Sequence, residues 1–258
     1  MSDTDRHWRG STGRGAAGLF VGAAVVVATM LAAGAWERVK TRPPDRTLQV
    51  TGSAKKRIVS DLIEWSAAIT TTSADRTSAY HALAGHIKTA LAYLADQGVK
   101  TDEMRVSSAV VKENWDTEYV GAGAERIQRK VFRGFTTSQG VTVRSTDVAR
   151  VERVSREITQ LLEKGVPVSS EQPSYYYTRI GELKIEMLAE AARDARTRAE
   201  NMLDKAGGGQ IGKLRTADMG VINLNPANST ATSWEGNNDT TSLEKDIITI
   251  VHVTYEVQ

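Results

Sequence analysis

The chain has 258 residues, with 33 Lys and Arg set against 31 Asp and Glu. Seven of the basic and four of the acidic residues fall in the first 46, leaving 212 residues almost neutral at 26 against 27; this excludes the strong basic excess of a nucleic-acid-binding surface. There is no cysteine, so disulfides, thiolate nucleophiles and Cys-based zinc sites are excluded too.

Residues 1–16 are polar and read as a short N-terminal tail. Ala17 to Trp36, AGLFVGAAVVVATMLAAGAW, then gives twenty residues without a formal charge. A helix rising about 1.5 Å per residue would carry that stretch across a bilayer's hydrocarbon core of roughly 30 Å. The expectation is an uncleaved single-pass anchor contacting the lipid bilayer. The competing reading is a secretory signal, with Arg6, Arg9 and Arg14 before the apolar run and a small-x-small site at Ala33-Gly34-Ala35. The run exceeds the usual signal core of about 7–15 residues, which favours the anchor. Gly18 and Gly22 form a GxxxG continued by Ala24, Ala28 and Ala32, a row along which two helices can approach closely. Three basic residues precede the span and four follow it (Arg38, Lys40, Arg42, Arg46), so the positive-inside rule leaves the orientation tied.

Residues 37–46 form a charged linker in which Pro43 and Pro44 stop any helical continuation. Residues 47–258 read as one α+β domain. Leu48 to Thr72 predicts two strands, the second with strict period-two alternation through LIEWSAAITT. Ser73 or Asp75 is placed to cap a helix to about Gln97, with Tyr80, Leu83, Ile87, Leu91 and Leu94 on one face and Gly98 ending it. Met104 to Trp115 predicts a strand, DTEYVGAGAER a turn region, and Ile127 to Arg144 a long strand or strand pair.

Ser145, Thr146 or Asp147 can cap a second helix through Lys164, facing Val148, Val151, Val154, Ile158 and Leu161 inward and closed by Gly165. Val166 to Thr178 follows as a strand. Ile180 to Ala206 is the longest helix of the domain, with an expected inner stripe of Ile185, Leu188, Ala192, Ala195, Ala199, Met202 and Ala206. Ile211 to about Val221 predicts a strand, residues 223–246 a polar loop carrying Trp234, and Ile247 to Val257 a terminal strand. The order β, β, α, β, β, α, β, α, β, β embeds a ferredoxin-like β-α-β-β-α-β core in an antiparallel or mixed sheet, extended by a long helix and two further strands.

The motifs that could carry chemistry fail on inspection. GGGQIGKL at 207–214 misses the phosphate-loop pattern because Leu214 replaces the hydroxyl and a helix precedes it, so a glycine helix terminator is expected there. His81 and His86 fall on different helix faces, and no HExxH or G-x-S-x-G stretch occurs. No catalytic, cofactor or metal residue is assigned. Tyr175 to Tyr177 alternate across a strand, so at least one faces outward; core packing competes there with a ligand pocket shared with the polar loop. Asn228-Ser229-Thr230 and Asn238-Asp239-Thr240 have the form of glycosylation sequons.

LQVTGSAKKRIVSDLIEWSAAITTTSADRTSAYHALAGHIKTALAYL resembles the opening of the SIMPL-domain family, whose first strand reads V-x-G-x-G before an alternating strand and an Ala-rich helix. VFRGFTTSQGVTVRSTDVARVERVSREI and ELKIEMLAEAARDARTRAENMLDKAGGGQIGKL continue the likeness, which covers Leu48 to the C-terminus. Ser53-Ala54 departs from it where many members carry a second glycine, which implies a different first turn. The resemblance implies an exported bacterial envelope protein, linked loosely to stress defence and self-associating into larger assemblies, with no catalytic residues to carry over. It also resolves the orientation: the domain is expected on the periplasmic or outer side of the cytoplasmic membrane. A membrane-anchored, non-enzymatic module that makes homo-oligomeric contacts through sheet edges and the 223–246 loop is the leading expectation. An envelope ligand-binding or hydrolytic protein is the alternative.

Overall fold

The computed structural model describes residues 24–37, 46–121 and 126–258. Residues 24–37 are helical and almost wholly exposed. The other part of the expected span, 17–23, lies outside the described residues, as do the tail, most of the linker and the Ala-Gly-Ala-Glu of the expected turn region. Among the described residues no helix is long and apolar enough to cross a membrane.

The first two strands, β1 (Thr47–Val59) and β2 (Leu62–Ser73), follow one another directly but belong to different sheets. Among the described residues one sheet has three strands in the order β1-β9-β8, where β8 is Ile211–Pro226 and β9 is Glu244–Val257. The other has six, built on β2 and β5 (Ile127–Ser145), which pair antiparallel from Ile63↔Ser145 to Ser73↔Phe135. β3 (Met104–Val106) and β4 (Val110–Val120) lie in succession along the far side of β5. β6 (Val168–Ser170) and β7 (Ser174–Tyr176) do the same along β2. Every strand pair is antiparallel. The α+β class is as expected; the division into two sheets is a correction of the single sheet.

Helices α1 (Arg76–Asp96) and α2 (Val148–Glu157) cover one face of the six-stranded sheet. Asp75 caps α1 by accepting the Ser78 N–H at 2.8 Å, and Asp147 caps α2 through the Arg150 N–H at 3.1 Å. The sequence left two and three candidates for these caps. Gly98 and Gly165, at φ +83° and +75°, end the helical segments as expected. The inner face of α1 is Ala79, Leu83, Ile87, Ala90 and Leu94; Tyr80 is exposed and Leu91 only partly buried, so the alanines take the places expected of those two. These side chains meet Ile63, Trp65, Ala67 and Ile69 from the inward face of β2. After α2 the chain tightens into a 3₁₀ helix (Ile158–Lys164), which keeps Ile158 and Leu161 buried. The expected strand from Met104 to Trp115 is interrupted at 107–109, and that from Val166 to Thr178 is only two short pieces around Pro173.

Helix α3 (Ile180–Lys205) lies over the three-stranded sheet, chiefly above β1 and β9. Its buried stripe is Leu183, Met187, Ala191, Ala195 and Ala199. Of the expected stripe, Ala195 and Ala199 are buried and Leu188 is partly buried, but Ile185 is 73% and Met202 52% exposed, and Ala192 and Ala206 also face out. A strict step of four follows the i±4 ridge, which runs oblique to the helix axis and so suits a helix crossing a twisted sheet. Ser53-Ala54 is not in a turn; both residues pair inside β1, with Ile250 and Thr249.

Candidate interaction site at the polar loop and the sheet edges

The segment expected as a loop from 223 to 246 is shorter and more ordered than its composition suggests. β8 runs on to Pro226 and β9 begins at Glu244, so the connection is 227–243. Asn223 and Asn225 are buried strand residues whose amides organise it. Asn223 Oδ1 accepts the N–H of Ser233 and of Asn237, while Asn225 donates to the Ala231 carbonyl and accepts from the Asn237 side chain. The loop then runs beside β8, where the Leu224 N–H donates to Asn237 O and the Asp239 N–H to Leu224 O. Asparagine amides satisfy buried backbone groups that no ladder reaches, which is why an Asn-rich stretch folds here.

Two buried charges anchor the loop ends. Lys245 is 0% exposed, and its Nζ donates to the Asp239 carbonyl at 2.6 Å and to Asp239 Oδ2 at 3.2 Å. Burial pushes the Lys245 ammonium down, with Asp239 opposing. Burial works against the Asp239 carboxylate too, but donors from Thr241, Ser242 and Lys245 outweigh it and hold its pKa at about 2. On the opposite face of β9, Asp246 is held well below the usual carboxylate range by Arg57 first, against burial, with Lys55 and the Asn228 N–H adding to it. Asn228, one of the sequon asparagines, sits at φ +69° and accepts from Arg57. All these groups are spent on one another, so the arrangement is a clasp and not a set of reactive groups facing a substrate.

Tyr175 is buried in the core of the six-stranded sheet and donates its backbone N–H to Thr240 O, tying that sheet to the loop; Tyr176 is half-exposed. The cavity beside the loop, about 330 Å³, is lined by Ile180, Lys184, Ile222, Leu224 and residues 235–238, not by the tyrosines. The glycines at 207–209 all have positive φ and lead α3 into β8, the helix-terminating role expected of them. His252 stands on β9 within 3.0 Å of the Thr51 hydroxyl.

Apolar surface concentrates along the open edges of two strands, β8 and β4. α3 covers β8 less than β1 and β9, leaving Leu214 and Met219 exposed beside the free half of that edge strand; Trp234 projects from the loop at 93% exposure. The second concentration is the β4–β5 hairpin. β2 ends opposite Phe135, so among the described residues the ribbon beyond it has no third strand. Gly134, at φ +106°, lets β5 pass the Ser73 carbonyl at the point of departure. Along one face of the ribbon Phe135, Phe132 and Trp115 contact edge to face at centroid separations of 5.1 Å, and the Arg126 guanidinium stacks on Tyr119 at 4.3 Å.

The family comparison agrees with the sequence likeness. A family signature described as SIMPL, protein of unknown function (DUF541), matches residues 48–256. No curated protein matches the chain. The match spans both sheets and their helices but for the first residue of β1 and the last of β9, and the chain belongs to the SIMPL family.

Proposed function

We propose that the chain is a membrane-anchored, non-enzymatic assembly module of the cell envelope, held to the cytoplasmic membrane through Ala17–Trp36 with its domain on the outer side. The observation that carries this reading is the pairing of long unpaired strand edges, β4 and the free half of β8, with exposed Trp115, Tyr119, Leu214 and Met219. Such edges are templates for another strand, and apolar side chains along them supply the burial that pairing needs. The uncharged span supports the anchor. The internally consumed Lys245, Asp239 and Asp246 support a structural rather than a catalytic use of the buried charges.

Light scattering on the full chain in mild detergent is expected to give a protein mass of at least two copies. A monomer at high concentration overturns the assembly reading. In cells the chain is expected to sediment with membranes and resist alkaline carbonate, and a reporter active only in the periplasm is expected to work when fused after Gln258. Recovery of full-length chain in the high-speed supernatant overturns the anchor; a silent but well-expressed fusion overturns the orientation.

A further inference from the structure

The outer edge of β4 has the composition of a strand that pairs with itself. Among the described residues β4 hydrogen-bonds only to β5, so its other edge is open along Val110–Val120, eleven residues or about 37 Å at strand rise. The ribbon's irregularity falls between Asn114 and Trp115 in register, but the extra residue is Arg133 on β5, opposite no residue of β4. A bulge on an edge strand is a usual protection against pairing. Here it sits on the inner strand, and the exposed one stays regular.

We infer that two copies of this chain join antiparallel through their β4 edges about a two-fold axis at Trp115. A two-fold axis normal to the sheet requires residues of the same face to oppose, so the register moves only in steps of two. Centring on Trp115 pairs the whole strand: Val110 with Val120, Val111 with Tyr119, Lys112 with Glu118, Glu113 with Thr117 and Asn114 with Asp116. The apolar residues meet at both ends, the one cation meets a carboxylate twice, and the Trp115–Phe132 cluster continues across the axis. Centring on Asp116 sets that carboxylate against its copy; centring on Asn114 keeps a charge match, Lys112 with Asp116, but sets Glu118 against Val110 and leaves the apolar Tyr119 and Val120 of each copy unpaired. Charge complementarity therefore selects the occupant, a second copy, and pairing along the whole strand selects the register.

This contact rests on the assembly reading and is tested separately from it, with the full chain in mild detergent. Because the chain has no cysteine, Trp115→Cys introduces a single thiol at the axis, where opposite Cα atoms lie within disulfide range. It is expected to give a covalent dimer on mild oxidation, and Thr117→Cys, opposed by Glu113, little or none. Lys112→Glu and Glu118→Lys, each in the otherwise unchanged chain, are expected to raise the dimer dissociation constant roughly tenfold or more, and the double exchange to restore most of it. Assembly that persists while both single exchanges leave affinity unchanged overturns the β4 contact but leaves the assembly reading standing. A monomeric parent chain overturns both. Equal crosslinking at 115 and 117 also overturns the register.

Discussion

Asp239→Ala is expected to lower the thermal midpoint of the domain by about 10 °C, because it strands a buried cation. Lys245 faces the covered side of β9 with no solvent exposure, and the Asp239 carbonyl and carboxylate accept from its Nζ. Breaking such a pair from one side costs about 3–5 kcal/mol, since the remaining charge keeps its desolvation penalty and loses its compensation. In a domain of this size each kcal/mol moves the midpoint by about 2–4 °C. The same change frees the Thr241 N–H and hydroxyl that Asp239 now accepts, loosening the turn that brings Thr240 to Tyr175. Asp239→Asn combined with Lys245→Met removes both charges at similar volume and is expected to recover most of the loss, as buried ion pairs often give way to neutral packing. An unchanged midpoint in Asp239→Ala, measured by calorimetry, defeats the account.

The pH dependence has a definite sign. Asp239 sits at about 2 in the folded chain, below the unfolded carboxylate value of about 3.9. Its contribution is thus complete above about pH 5 and disappears as the pH falls toward 2. Asp246 is depressed from the same side by Arg57, Lys55 and Asn228, so it adds to the loss on acidification. Urea titrations at pH 6, 5 and 3 are expected to show midpoints falling only between the last two. A midpoint already falling between pH 6 and 5 contradicts this assignment.

Local signals in the sequence were read well, and relations between distant segments were not. Strand alternation in LIEWSAAITT, the Asp75 and Asp147 caps and the Gly98 and Gly165 terminators all act within a few residues, and each is where its chemistry requires. The α3 stripe went astray because small and large apolar residues are scattered around the helix. Only the sheet beneath decides that alanines 191, 195 and 199 face inward while Ile185 faces water. The polar loop misled for a related reason. Asn223, Asn225, Lys245 and Asp246 read as solvated by type, yet each is buried because its partner is supplied from elsewhere, by loop backbone, by Asp239 or by Arg57. The β4 edge carried no motif at all. What distinguishes it is that, among the described residues, no strand lies beyond it on the side away from β5, a property of the sheet's strand order and not of β4 itself.

Gly52→Ala is expected to be the most disruptive single methyl in the three-stranded sheet. Gly52 is not among the residues with positive φ, so its conformational freedom is not the reason it is needed. A Cβ there would lie 2.1 Å from the Ala191 carbonyl oxygen and 2.6 Å from both the backbone nitrogen and the Cβ of Ala195. Two of these three atoms are helix backbone, which no rotamer change can move, so α3 as a whole must lift. The Ser53 N–H to Asp194 Oδ2 bond of 2.8 Å, which ties the edge of β1 to the same helix, lengthens with it. Overpacking costs about 1–3 kcal/mol even where side chains can yield, and here the yield must come from the contacts among Val50, Met187, Ala191 and Val251. Gly52→Val is expected to prevent docking of the helix altogether. Ala195→Gly removes only one of the three offending atoms and is expected not to rescue Gly52→Ala; full rescue would show that the clash is with a side chain and that the helix can settle. Gly85→Ala is the matched control: with nothing within 4 Å of its added methyl, in the interior of α1, it is expected to stabilise by about 0.5–1 kcal/mol. Opposite signs for the same chemical change at 52 and 85 separate close approach from helix propensity, and they locate the tightest contact of the fold where β1 passes under α3.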